Sequence, residues 1–287
     1  MIPLLSAILL LFQAVISVHT DLVAVPVIVT DSRGQHVNGL SAENFRVYED
    51  GRLQPIAVFQ HGDAPITLGL IVDRSQSMRP KMSALMTALS ALLPAGRPDD
   101  ELFAVDFNDA ISFTLPEGRP FTSDARSLEA TLLSVRAEGQ TALYDAVAAG
   151  LQQLQLGHAE KRALIVISDG GDNVSRLKYA DVLALARRSD AVIYAVGLLA
   201  TSPAEEEDEG LLKRLCKDTG GVAYFPRTAT EVAAMSLQVA RDLREQYTLG
   251  FTPAEPTDRH VFRKIEVKVS ADGHRGLRVR TRSGYTP

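Results

Sequence analysis

The sequence is short of the residues from which several common kinds of site are built. It holds one cysteine, Cys216, so no intrachain disulfide, zinc finger or CxxC redox pair can form within it. That thiol is expected to act as a small packed hydrophobe. The 30 Lys and Arg are outnumbered by 35 Asp and Glu, which leaves a net charge of −5 and no positive field to hold a polyphosphate backbone. Nucleic acid is therefore not an expected partner. The six histidines are scattered without HExxH spacing, and neither GxSxG nor a P-loop occurs. Without a base beside a nucleophile, the sequence does not read as an enzyme.

What is present suffices for one domain of ordinary size plus a smaller module, since 46% of the 287 residues are hydrophobic. The segment MIPLLSAILLLFQAVISV at the start carries no charged side chain and gives way at once to His19, Thr20 and Asp21. This reads as a signal peptide over residues 1–20: the run is short for a spanning helix, and Ala14 and Ser17 suit a cleavage site. No Lys or Arg precedes the run, so an uncleaved membrane anchor stays as the alternative. The expected location is secreted or in the cell envelope, with no membrane span in the mature chain once the leader is removed.

Three regions follow. In residues 21–62, Val23, Val25, Val27 and Val29 alternate along a strand closed by the turn residues Asp31 to Gly34, and Pro26 suggests an edge strand or a bulge. Phe45, Val47 and Glu49 alternate into the hairpin dipeptide Asp50-Gly51, and a further strand is expected from Ile56 to Phe59. Residues 63–245 change texture. Apolar runs at 68–72, 103–107, 163–167 and 191–196 read as strands buried on both faces. Helical spacings lie between and after them, at Met82, Leu85, Leu89 and Leu92, at Leu143, Val147, Leu151 and Leu154, over 180–186, and at Val232, Met235, Val239 and Leu243. The predicted fold class is α/β, a doubly wound, mostly parallel sheet. Period-two alternation returns in residues 246–287, at Tyr247, Leu249 and Phe251, at Ile265, Val267 and Val269, and at Leu277, Val279 and Thr281. The N- and C-terminal β segments are expected to pack together into one small sheet structure. Interior packing is expected of Tyr247 and Phe251. Glu205 to Glu209 reads as a solvated acidic loop. Arg278, Arg280 and Arg282 share one strand face, expected to be solvated, with an anionic glycan, lipid headgroup or partner as the alternative.

The strongest local signal is Asp73-Arg-Ser75-Gln-Ser77, placed where the first buried strand ends and a long helix begins. Ligands of open α/β sheets bind at that carboxyl edge. Gly139-Gln-Thr141 opens a later helix, and Ser168-Asp169-Gly170 ends a later strand, so three loops can bring oxygen groups to one site. A hard cation such as Mg²⁺ takes about six oxygen ligands and avoids sulfur. Two carboxylates roughly balance one divalent ion, while hydroxyls add ligand oxygens without charge. If Asp73 or Asp169 coordinates through water, the ion seeks an anionic oxygen from outside, such as a partner's Glu or Asp carboxylate.

These residues resemble the metal-ion-dependent adhesion site of von Willebrand factor A domains, whose pattern is D-x-S-x-S, a distant Thr and a later Asp; all five positions are matched. The resemblance implies that Ser75, Ser77 and Thr141 touch a divalent ion, Mg²⁺ or else Mn²⁺ or Ca²⁺. It implies that Asp73 and Asp169 act through water, and that a partner protein's acidic side chain takes the last position. The segments around Gly34, Phe45 to Gly51, Tyr247 to Phe251 and Arg282 to Tyr285 are similar to those of bacterial VWFA-related proteins known largely from acidobacterial genomes. The resemblance thus spans nearly the whole chain after the leader, and implies adhesion-type protein binding. Two other functions stand beside it: an envelope or assembly component using the fold without metal, and a metal-dependent hydrolase with Ser75 or Ser77 as nucleophile. Arg74 departs from the pattern by adding a cation beside the site, and is expected to turn outward into a salt bridge. Asp145 either orients loop groups or serves as a first-turn carboxylate favoured by the helix dipole. Asp172 and Asn173 are expected as turn residues.

Overall fold

In the computed structural model, which describes residues 22–62, 64–93, 97–134, 136–199, 208–253 and 261–287, the chain opens on four strands. These are β1 (Val23–Thr30), β2 (Phe45–Glu49), β3 (Arg52–Gln54) and β4 (Val58–His61). An alternating segment follows: β5 (Ile66–Asp73), α1 (Met82–Leu92), β6 (Glu101–Phe107), β7 (Ile111–Phe113), α2 (Ala125–Leu133) and α3 (Leu143–Leu154). It continues with β8 (Lys161–Ser168), α4 (Tyr179–Arg188), β9 (Val192–Gly197), α5 (Glu209–Thr219), β10 (Ala223–Tyr224) and α6 (Ala229–Glu245). Four strands close the chain: β11 (Tyr247–Phe251), β12 (Arg263–Val269), β13 (Arg278–Thr281) and β14 (Gly284–Tyr285). The leader expected at residues 1–20 lies outside the described residues. Among the described residues no helix is long and apolar enough to cross a membrane.

The four apolar runs become β5, β6, β8 and β9, the middle of a six-stranded sheet with order β10-β9-β8-β5-β6-β7. Every pair is parallel except β6 with β7. Period two sends alternate side chains to opposite faces, so Leu70 and Val72 join the core under α1, α2 and α6, while Ile71 joins the core under α3, α4 and α5. Burial on both faces is why these strands read as continuous apolar runs. Since β5 bonds to β6 on one side and β8 on the other, strand order reverses beside it, and the crevice lies at its carboxyl end. The short strands β7 and β10 and the helices α2 and α5 were not anticipated. Part of the acidic run belongs to α5: Asp208 caps it, accepting from the Leu211 N–H at 2.7 Å, and Glu209 is its first residue, while 205–207 lie outside the described residues.

The two ends of the chain form two sheets rather than one. Their orders are β13-β1-β11-β4 and β14-β12-β2-β3, each taking two strands from either end. A strand that alternates needs a second layer over its apolar side, and the facing rows share Val25, Val27, Phe45, Val47, Leu249 and Ile265. Tyr247 and Phe251 are interior, as expected, and the Tyr247 hydroxyl donates to the Val37 carbonyl at 2.8 Å. At the β2–β3 hairpin Asp50 and Gly51 both take positive φ, 47° and 81°, the turn geometry that this dipeptide favours.

Pro26 is not on an edge, because β11 and β13 flank β1. The β13 ladder covers only Val27 to Thr30, and Pro26 lies just beyond it, with its carbonyl accepting from the Thr281 hydroxyl at 2.7 Å on that side. In an antiparallel strand the nitrogen and carbonyl of one residue face the same way, so the missing N–H removes no sheet bond. The arginine comb is likewise not a solvated face. Arg278 is exposed, but Arg280 pairs with the buried Asp242 of α6, and Arg282 donates to the carbonyls of Arg187 at 2.6 Å and Gly284 at 3.0 Å. Cys216 is packed in the core, where burial raises its thiol pKa well above the ordinary range.

Candidate functional site

The site is built from the carboxyl ends of β5 and β8 and the loop before α3. Asp73, the last residue of β5, is fully buried; its Oδ1 accepts from the Ser75 N–H at 2.8 Å and its Oδ2 from the Ser168 hydroxyl at 2.6 Å. The chain then turns into a 3-10 helix, Gln76–Lys81, pinned by Met78 in the core. The turn leaves the Ser75 and Ser77 hydroxyls 3.0 Å apart. Burial pushes the Asp73 carboxyl up to about 6; hydrogen bonds from Ser168 and Ser75 oppose the rise, and the nearby Asp169 carboxylate adds to it.

The Thr141 loop is held from several directions. The Gln76 N–H donates to the Gly139 carbonyl at 3.0 Å, and the Glu138 N–H donates to the Arg74 carbonyl at 2.8 Å. On the other side the turn after β6 grips the loop. The Asn108 amide donates to the Glu138 carbonyl at 3.1 Å, and the Asp109 carboxylate accepts from the Gln140 N–H. Gly139 has φ of 78°, and a Cβ there would meet the Asp109 carboxylate at 2.8 Å, so a side chain would push the two loops apart. Thr141 itself is buried, with its N–H on the Asn173 side-chain oxygen at 2.9 Å. Its loop is thus bonded to Arg74 and Gln76, the residues on either side of Ser75.

Asp169 follows β8. Its Oδ1 accepts from the Gly171 N–H at 3.3 Å and its Oδ2 from the Lys81 ammonium at 2.8 Å. Four of the five residues are therefore close neighbours, with Thr141 beside them on a tethered loop. Arg74 pairs with Asp106, the salt bridge expected of it, although both side chains are largely buried. Both readings of Asp145 hold: it lies in the first turn of α3, and its carboxylate accepts from the N–H groups of Arg176 and Leu177, both at 3.0 Å. Asp172 and Asn173 do more than turn the chain. Asp172 accepts from the Tyr144 N–H at 3.1 Å and so satisfies the first turn of α3, while Asn173 fixes Thr141. Ser168 was named in the sequence only as part of the Ser168-Asp169-Gly170 strand end, and Lys81 and Asp109 were not picked out. Ser168 carried a signal in its place beside Asp169, but Lys81 and Asp109 meet their partners only through the fold.

The side chains of Asp73, Ser75, Ser77, Thr141 and Asp169 offer only oxygens, a set that suits a hard divalent cation, although the Lys81 ammonium occupies Asp169. Among the described residues no group of three or more His, Cys, Asp or Glu side chains is arranged to hold a metal. A cation in this pocket would thus depend on hydroxyls beside two carboxylates.

The family model for the von Willebrand factor type A domain matches residues 68–239, more than half of the chain. No curated protein matches in sequence. The structure resembles a von Willebrand factor type A protein from Catenulispora acidiphila, with TM-score 0.55 and 12% identity over 85% of this chain and 73% of that one. It also resembles proximal thread matrix protein 1 from the mussel byssus, with TM-score 0.54 and 15% identity over 68% of this chain and 51% of that one. A third likeness is to an aerotolerance-related membrane protein from Bacteroides fragilis, with TM-score 0.50 and 16% identity over 61% of this chain and 98% of that one. At these identities the likeness is one of fold.

Proposed function

The chain belongs to the von Willebrand factor type A domain family, and from that premise we propose that it binds a partner protein through a divalent cation. Mg²⁺ is the proposed ion, with Mn²⁺ or Ca²⁺ as alternatives of the same hard class, and Asp73, Ser75, Ser77, Thr141 and Asp169 are its proposed holders. The observation that carries this reading is the Ser75–Ser77 hydroxyl pair, set 3.0 Å apart directly after the buried Asp73. Two carboxylates and neutral hydroxyls would leave a bound ion able to take one more anionic oxygen, supplied by an Asp or Glu of the partner. The roles of this chain's residues follow from their contacts. Ser168 and the Ser75 N–H orient Asp73, Asn173 and Asp109 fix the Thr141 loop, and Arg74 is drawn off by Asp106. Binding is proposed over hydrolysis because, among the described residues, the Ser75 and Ser77 hydroxyls pair with each other rather than with an imidazole.

One observation favours a second reading, an envelope assembly component that uses the fold without metal: the Lys81 ammonium already sits on Asp169. Calorimetric titration and thermal melting in Mg²⁺ separate the two. Binding is expected to stabilise the protein by about 2.7 kcal/mol at roughly 100 times Kd. Asp73→Ala removes the increment. An unchanged melting curve in saturating Mg²⁺ overturns the metal reading, and capture of Asp- or Glu-bearing peptides that survives EDTA supports the metal-free one. The proposed location is secreted or in the cell envelope, with the leader 1–20 cleaved or kept as an anchor. Cell fractionation and N-terminal sequencing test it.

A further inference from the structure

Three cationic side chains follow Asp73 within the turn and the 3-10 helix, and they do not share one role. Arg74 is drawn away by Asp106, and Arg79 donates to the Ala137 carbonyl at 3.2 Å. Among the described residues Lys81 alone of the three is on a carboxylate of the pocket, its Nζ 2.8 Å from Asp169 Oδ2, with side-chain exposures of 9% for Lys81 and 2% for Asp169. Asp73 ends β5 and Asp169 directly follows β8, its parallel neighbour in the sheet, so both carboxylates sit at the same carboxyl edge. Two buried carboxylates side by side need a countercharge, and here the chain itself provides one.

We propose that Lys81 is a tethered counter-cation which holds the metal-free pocket and must leave Asp169 before a divalent ion binds. This rests on the metal reading above and adds a determinant of affinity to it. An ammonium and a divalent ion within one carboxylate pocket repel each other, so the lysine competes with the ion instead of joining it. The geometry permits the exchange. Lys81 is the last residue of the 3-10 helix, and rotation about its four-carbon stem can carry the ammonium outward without moving the backbone. Gln76 and Arg79 of the same 3-10 helix are exposed. Occupancy of the pocket and position of one positive charge at its rim are then linked. The chain would bind its ion more weakly than the oxygen set alone would allow, and would present an extra cation to an acidic partner only when loaded.

Calorimetric titration with Mg²⁺ of the whole protein, Lys81→Met and Lys81→Arg tests this, with melting curves to establish that each variant is folded. Lys81→Met keeps most of the stem and removes the charge; it is expected to bind Mg²⁺ at least about tenfold tighter, a change of about 1.4 kcal/mol. Its metal-free form is expected to melt lower than the parent, and saturating Mg²⁺ to reverse that order. Lys81→Arg keeps the charge and is expected to bind no tighter than the parent. Should Lys81→Met fail to fold, the Lys81 side-chain resonance of the parent is followed in Mg²⁺, where it is expected to move to solvent-exposed values. Equal Kd for parent and Lys81→Met, or a lysine resonance unmoved at saturation, overturns the competition while leaving the metal reading intact. Absence of Mg²⁺ binding to the parent with tight binding to Lys81→Met supports it in its strongest form. Absence of binding to both overturns the metal reading, and this inference with it.

Discussion

His36 Nε2 lies 2.7 Å from Asp242 Oδ1, which joins the segment after β1 to the last helix of the α/β domain. The other oxygen of Asp242 takes Arg280 from β13, and Gln238 donates to Oδ1 at 3.0 Å. One buried carboxylate thus ties α6 to elements from both ends of the chain. Burial works to raise its pKa, but the His36 hydrogen bond and the Arg280 charge outweigh burial and leave it below its ordinary value.

Asp242→Asn is therefore expected to cost about 3–5 kcal/mol, because it leaves the Arg280 charge without its partner. The pH dependence has a definite sign. A depressed folded pKa means that the stabilisation is complete above the unfolded value of 3.8 and is lost as pH falls through the folded one. Urea unfolding at a series of pH values should give a constant gap between parent and variant near neutrality, closing below that value. A gap that persists unchanged in strong acid would mean that ionisation of Asp242 is not its source.

Lys161 is a second tie, and its loss is expected to act locally. It is buried, and its Nζ donates to the carbonyls of Gly62 at 2.8 Å, Leu243 at 3.0 Å and Arg244 at 2.8 Å. Two of these are last-turn carbonyls of α6, which have no partner within the helix. Lys161→Met should cost about 1–3 kcal/mol for each carbonyl left dry. Hydrogen exchange should quicken at the α6–β11 junction more than at β5 or β8. Uniform quickening across the sheet would instead indicate global destabilisation.

The parts of this architecture that the sequence displayed are those where one residue's environment is set by its neighbours in the chain. The runs of β5, β6, β8 and β9 were legible because burial on both faces leaves few polar positions, Asp106 of β6 being one that Arg74 pairs. Asp73, Ser75 and Ser77 were legible because a turn brings close neighbours together. α2 was hidden, since only Leu128 and Leu132 of it are buried, and β7 and β10 are too short to establish a period. The Arg280 and Arg282 alternation correctly put them on one face, but no local pattern could tell that α6 and Arg187 cover it. Lys81 and Asp169 stand 88 residues apart, and their pairing exists only once β5 and β8 are adjacent.

Asp73 supplies a pH prediction of opposite sign. Its folded pKa is raised from 3.8 to about 6, chiefly by burial, so the folded protein takes up a proton before the unfolded chain does. Without metal, this residue's contribution to stability grows as pH falls through about 6 and levels off below 3.8. With Mg²⁺ the ion needs the carboxylate, so the proton competes with it. The Mg²⁺-induced rise in melting temperature is expected to shrink as pH drops from 7 to about 5, and Asp73→Asn should remove both effects. An increment that stays constant over that interval would count against ionised Asp73 as a holder of the ion.

Gly170 allows the Asp169 loop to be tested without touching a proposed ligand. It has φ of 88°, and a Cβ on it would meet the backbone carbonyl of Asp208 at 2.5 Å, a neighbour that cannot swing aside as a side chain can. Gly34 is the control: its φ is 80°, yet a Cβ there meets nothing within 4 Å. Alanine at either position incurs the left-handed strain, about 1–2 kcal/mol. Gly170→Ala must in addition shift either the start of α5 or the loop that carries Asp169. It should therefore melt lower than Gly34→Ala and lose most of the Mg²⁺ increment, whereas Gly34→Ala keeps it. Equal increments in the two variants, with hydrogen exchange unchanged at the start of α5, would show that the position of Asp169 does not govern binding of the ion.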